Sequence, residues 1–124
     1  MGEVSEMTIE ATTGTGTERW VAVCPLSRIP VDRGVAALVA GIPVAVFRLA
    51  GDEVYAVDHA DPATGAPVMA RGLVGSRGDA PTVASPLHKE TYDLRTGACL
   101  DDEHLRLRTW SVSVVDAVVH VAVE

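Results

Sequence analysis

The chain has 124 residues, enough for one domain around a single core and too few for separate cofactor and substrate domains. Its 17 acidic against 10 basic residues give a formal charge of −7; with the cations scattered, nucleic acid and anionic membranes are disfavoured as partners. No apolar run approaches the roughly 20 residues of a membrane-spanning helix, and no secretory pattern opens the sequence, so a cytoplasmic protein with a protein partner is expected.

Residues 1–17, rich in Thr, Gly and Glu, lack the periodicity of a packed element and are expected to form a disordered tail. The domain is expected over 18–124. Trp20 to Cys24 reads as a first strand, ended by Pro25 and Pro30 because proline donates no ladder hydrogen bond. Gly34–Val39, Ile42–Leu49 and Glu53–Val57 read as an antiparallel meander turned at Ala40-Gly41 and Ala50-Gly51-Asp52. Near the other end Leu105 and Leu107 alternate with Arg106 and Arg108, Val112 and Val114 alternate with Ser111 and Ser113, and Val118–Val123 follows a turn at Asp116-Ala117. Short strands with frequent turn signals predict an all-β fold of antiparallel sheets with little helix.

Two segments rich in Pro, Gly, Asp and His, Asp58–Arg71 and Ser85–Gly97, are expected as loops protruding from this scaffold and as the place for chemistry. Cys24 and Cys99 are the only cysteines; they are too far apart in sequence for a CxxC site and are expected as small buried core residues. Asp101-Asp102-Glu103-His104 superficially suggests a metal cluster but reads as a solvated turn.

The second loop, Ser85-Pro86-Leu87-His88-Lys89-Glu90-Thr91-Tyr92-Asp93-Leu94-Arg95-Thr96-Gly97, resembles the second ligand box of a Rieske domain, Cys-Pro-x-His-Gly-x-x-Phe-Asp-x-x-x-Gly. The first loop, Tyr55 to Val68, resembles the first box. The resemblance puts Asp61, Ala63, Ser85 and His88 at the four positions where a Rieske domain has Cys, His, Cys and His. A Rieske [2Fe–2S] cluster needs two thiolates on one iron and two imidazoles on the other. Two hard oxygens, a methyl group and one imidazole do not supply that set, so no cluster, no metal and no catalytic residue are expected on this chain. A mononuclear site from Asp61, Ser85 and His88, or a hydrolytic Ser85/His88 pair, lacks the further ligands or the orienting carboxylate that either chemistry needs.

With Ala45-Val46-Phe47-Arg48, Asp61-Pro62, Val68-Met69-Ala70-Arg71-Gly72 and the Lys89 that follows Ser85-Pro86-Leu87, the chain is similar to the small subunit of assimilatory NAD(P)H-dependent nitrite reductase. That resemblance implies a Rieske-like fold and a large catalytic subunit as partner. It also implies that siroheme, a [4Fe–4S] cluster, FAD and the NAD(P)H site lie on that partner, which reduces nitrite to ammonium. The small chain would bind no substrate and act as a structural or regulatory subunit. Arg71 and Lys89 are candidate partner contacts, and Asp61 and Ser85 are expected to hold their turns through hydrogen bonds to backbone amides. Two other classes remain open: a [2Fe–2S] ferredoxin serving an oxygenase or reductase, and a free-standing protein-binding module.

Overall fold

A strand with no polar face lies at the centre of the molecule. The computed structural model describes residues 19–87 and 89–123; the tail expected over 1–17 and the side chain of His88 fall outside the described residues. In β3 (Ile42–Arg48), Val44 and Val46 enter one core and Ala45 and Phe47 another, all four fully buried. Strands covered on both sides read as continuous apolar runs, which is why β3 carries no charge before Arg48.

β2 (Arg33–Val39), β4 (Val54–Asp58) and β8 (Thr109–Trp110) join β3 in an antiparallel sheet of order β2-β3-β4-β8. On one side it meets β1 (Arg19–Pro25), β10 (Val118–Val123) and β9 (Val112–Val115), ordered β1-β10-β9. Val21, Val23, Val39, Val119, Val121 and Val123 fill that interface. On the other side lie β5 (Leu73–Arg77), β6 (Ala80–Ala84) and β7 (Thr91–Asp93), and here Phe47, Val57, Met69, Val83, Tyr92, Leu94 and Leu107 pack together. The single core expected from length is therefore two cores, because the middle sheet has an apolar surface on each face.

The expected strands match in place to within a residue for β2, β3 and β4. Ala40 (φ 51°) and Gly41 (φ 83°) are both left-handed, the two-residue hairpin geometry whose twist suits antiparallel strands. Asp116 (φ 53°) and Ala117 (φ 64°) make the same turn without a glycine. Three expectations need correction. Leu105–Arg108 keeps its alternation, with Leu107 buried between exposed Arg106 and Arg108. Yet it forms only one bridge, Ala98↔Arg106, because the segment beside it is the turn around Gly97 and not a strand. The β5–β6 hairpin went unforeseen, since β5 has little apolar character facing inward and Leu73 stands 77% exposed. Cys24 is half-buried, carried to the sheet margin by an irregularity between Ala22 and Cys24 in the β1–β10 pairing, whereas Cys99 is buried.

The base of the second loop depends on Gly97. Its φ is +83°, and a Cβ added there would collide with the Leu107 carbonyl oxygen. Its N–H donates to the Asp93 carbonyl at 2.7 Å and its carbonyl accepts from the Leu107 N–H at 2.8 Å. Gly97→Ala should cost about 2–4 kcal/mol, from the left-handed backbone and the forced displacement of Leu107 together. Urea denaturation of both proteins would measure it, and an unchanged midpoint would refute this account of the loop base.

Candidate functional site

The first loop leaves β4 and closes on itself before β5. Its return begins at His59, whose carbonyl accepts from the Met69 N–H at 3.0 Å and whose Nδ1 accepts from the Ala70 N–H at 3.1 Å. Ala60 and Pro67 then form an antiparallel bridge. At the tip, the Asp61 N–H donates to the Ala66 carbonyl at 2.8 Å, and the Asp61 carbonyl accepts from the Gly65 N–H at 2.6 Å. Proline at 62 and glycine at 65, with φ +81°, suit this tight turn. The segment expected as the second loop is divided by β7, with 85–90 joining β6 to β7 and 94–97 turning beyond it: the Ser85 N–H donates to the Glu90 carbonyl at 2.8 Å and the Lys89 N–H to the Ser85 carbonyl at 3.0 Å.

The two loops meet through side chains. Asp61 is fully buried and Ser85 is 1% exposed. Asp61 Oδ1 accepts from the Ala63 N–H at 2.7 Å and the Thr64 N–H at 3.2 Å, while Oδ2 accepts from the Ser85 hydroxyl. Ser85 Oγ in turn accepts from the Leu87 N–H at 3.2 Å. A buried carboxylate is tolerable only when donors replace its hydration, and here two backbone amides and one hydroxyl do so. Both side chains bond backbone amides of their own turns, and the structure adds a direct bond between the loops that no local pattern of residues could place.

This arrangement does not fit a [2Fe–2S] cluster. At the positions that the resemblance equates with ligands, the Asp61 and Ser85 oxygens are bonded to each other and to backbone amides, and Ala63 presents only a methyl group. Among the described residues no group of three or more His, Cys, Asp or Glu side chains is placed to hold a metal ion. Beneath the loops Tyr92 is fully buried and its hydroxyl has no hydrogen-bond partner among the described residues. Burial first, then the nearby Cys99 and Asp61, push its phenol well above the ordinary range, which keeps it protonated.

The other expected residues fall around this centre. Arg71 is exposed at the end of a short 3-10 turn, Met69–Arg71. Lys89 is exposed at the second tip with φ 65°, a left-handed conformation at the position where the Rieske box has glycine. Pro86 and Leu87 are exposed beside it, Leu87 by 46%. Asp101 to His104 form an exposed turn in which Asp102 Oδ1 lies 3.2 Å from His104 Nδ1, and Asp101 accepts from the Thr91 N–H at 2.9 Å. His59 latches the first loop. Its partner lies 11 residues away, beyond the reach of any local pattern.

These observations define a class: three antiparallel sheets presenting two apposed loops, a Rieske-like domain. A family model described as a Rieske-like [2Fe-2S] domain matches residues 19–122. The nitrite reductase (NADH) small subunit of Salmonella typhimurium is 36% identical over 104 residues, which cover 83% of this chain and 96% of that protein. A solved NADH-dependent nitrite reductase small subunit from Mycobacterium tuberculosis superposes with a TM-score of 0.83 at 37% identity, covering 86% of this chain and 96% of that one. The ferredoxin of carbazole 1,9a-dioxygenase from Nocardioides aromaticivorans is more distant, with a TM-score of 0.74 at 28% identity, covering 85% and 98% of the two chains. The chain belongs to the Rieske-like family of nitrite reductase small subunits. It also matches, at 40% identity over 102 residues, a segment of the Klebsiella oxytoca nitrite reductase [NAD(P)H] large subunit; that match covers 82% of this chain but only 11% of the large protein.

Two outcomes test the geometry. Ser85→Ala strips one donor from a buried carboxylate and one acceptor from the Leu87 amide, and should cost about 1–3 kcal/mol; a double-mutant cycle with Asp61→Asn should show strong coupling, whereas additive losses would mean that the loops are held independently. His59 must keep Nδ1 unprotonated to accept from Ala70, and burial first, then Arg71, lower its pKa from the usual 6.5. The folded state thus disfavours the imidazolium: the contribution of this latch is complete above pH 6.5 and is lost as pH falls through the lower folded value. Amide exchange at Ala70, corrected for intrinsic rates, should lose protection only as pH falls below 6.5, and His59→Ala should abolish that dependence.

Proposed function

We propose that this chain is the cluster-free small subunit of an NAD(P)H-dependent nitrite reductase, a cytoplasmic enzyme that reduces nitrite to ammonium. In this reading the large subunit carries FAD, siroheme, a [4Fe–4S] cluster and the NAD(P)H site, and no residue of this chain touches the reacting atoms. The small subunit binds the large one through its two loop tips as a structural or regulatory partner, with Arg71 and Lys89 among the contacts. It has no part in binding nucleic acid, membrane or a small-molecule substrate.

The bond between Asp61 and Ser85 is the observation that carries this reading. It occupies the ligand positions with a closed, satisfied network while leaving the loop framework in place, so what the loops can still offer is shape. That shape includes exposed Pro86, Leu87 and Lys89 at the second tip, an apolar centre with a cationic neighbour. The match to a segment within a Klebsiella oxytoca large subunit further supports a lasting association, since in that protein a related segment is part of the same polypeptide. The likeness to a ferredoxin keeps an electron carrier as the second reading, and it requires iron.

The purified chain is expected to contain less than one-tenth of an equivalent of iron, about the level of adventitious metal, and to show no absorption between roughly 400 and 600 nm. Mixed with the large subunit from its own organism, it should form a stable complex, and Leu87→Glu should weaken that complex at least about tenfold by placing a charge in the apolar centre. Stoichiometric iron and sulfide, or a rhombic electron paramagnetic resonance signal after reduction, would replace this proposal with the electron carrier.

A further inference from the structure

The edge of the four-stranded sheet holds a cationic surface that shares no residue with the loop tips. β8 is the last strand of that sheet, and two shallow open clefts of about 340 and 350 Å³ meet at its Thr109. Tyr55, Arg95 and Trp110 line the first, and Thr96, Arg106 and Arg108 line the second. All three arginines are exposed, in a chain whose net charge is −7.

Among the described residues only Asp93, of the neighbouring acids, lies within pairing distance of one of these arginines. Asp58 accepts from the Trp110 indole N–H at 3.2 Å, and Glu53 accepts from the Tyr55 hydroxyl at 3.2 Å. Asp93 accepts from the Arg95 backbone N–H at 2.7 Å and lies 3.5 Å from Arg95 Nε. Arg106 donates to the Thr96 carbonyl at 3.2 Å, which leaves its charge unpaired, and the Arg108 guanidinium carbon sits over the Trp110 ring, 4.0 Å from its centroid. Among the described residues neither Arg106 nor Arg108 has a carboxylate within salt-bridge distance. Stacking on an aromatic ring fixes a guanidinium while leaving its N–H edge open to a carboxylate.

We propose that this arginine edge is a second docking surface for the large subunit, and that it receives a carboxylate-bearing face of that protein. The inference rests on the proposed function. Arginine with Trp and Tyr is the make-up of protein interface centres, and open clefts suit a broad surface better than an enclosed small anion. Arg106 and Arg108, exposed and without a carboxylate at pairing distance, would also orient the encounter on an otherwise acidic chain.

The test is association of the purified chain with the large subunit by stopped flow across a salt series. Charge reversal, Arg95→Glu with Arg106→Glu and Arg108→Glu, should lower the association rate about ten- to a hundredfold at low salt and flatten its salt dependence. The corresponding triple lysine variant should retain most of the rate. The single Arg106→Glu variant, which leaves the Arg108–Trp110 contact intact, should show a smaller loss in the same direction and serves if the triple variant fails to fold. Unchanged rates and salt dependence in the reversed variants, while Leu87→Glu still disrupts the complex, would overturn this inference and leave the proposed function standing. Absence of any complex with the unaltered chain would overturn both. Shifts of the Trp110 indole resonance on adding inorganic phosphate, with association unaffected by charge reversal, would overturn it in favour of a small-anion site.

Discussion

A carboxylate with no exposed surface sets the terms for the functional end of this protein. Asp61 gives up its hydration entirely, and a charge in that position persists only if donors surround it. Two of its donors come from its own loop and one from the other, so the carboxylate is satisfied only when both loops are folded and apposed. The first loop also needs the His59 latch, which holds the Met69–Arg71 turn against the start of the loop. The second needs Gly97, the one residue that can pass beneath the Leu107 carbonyl.

Holding two loops at this separation requires a scaffold that does not yield, and the two-faced middle sheet supplies it. With β3 buried on both sides, a displacement of that strand disturbs two cores together. Arg48 ties the end of β3 to the surrounding chain: its guanidinium donates to the Leu26 and Ile29 carbonyls at 3.2 and 2.9 Å and pairs with Asp52 at 3.0 Å. Rigid sheets carrying polar loops are a general way of placing functional groups. In this chain the loops retain the framing of a cluster site while their side chains saturate one another.

That saturation separates fold from function. The same architecture serves a ferredoxin at 28% identity and nitrite reductase small subunits at 36–37%, and architecture alone does not choose between them. In this chain Asp61 and Ser85 bond to each other and to backbone amides, while Leu87, Lys89 and a separate arginine edge stay exposed.

Much of this was legible in the residues themselves. Period-two alternation and turn chemistry located β2, β3, β4 and β10, since these features depend on neighbours two or three positions apart. The two loop boxes were readable because their Pro, Gly, Asp and Tyr spacing survives without the ligands. Three things depended on the tertiary structure. The division into two cores could not be read from β3, because an apolar run looks the same whether one face or both are covered. The β5–β6 hairpin was hidden because β5 turns little apolar character inward and pairs only with β6, which itself pairs with the distant β7. The bond from Ser85 to Asp61, the His59 latch and the gathering of Arg95, Arg106 and Arg108 at one edge all join residues by their position in space. A sequence states which groups are available; only the folded chain decides which of them meet, because burial makes an unpartnered polar group costly and so selects the pairs.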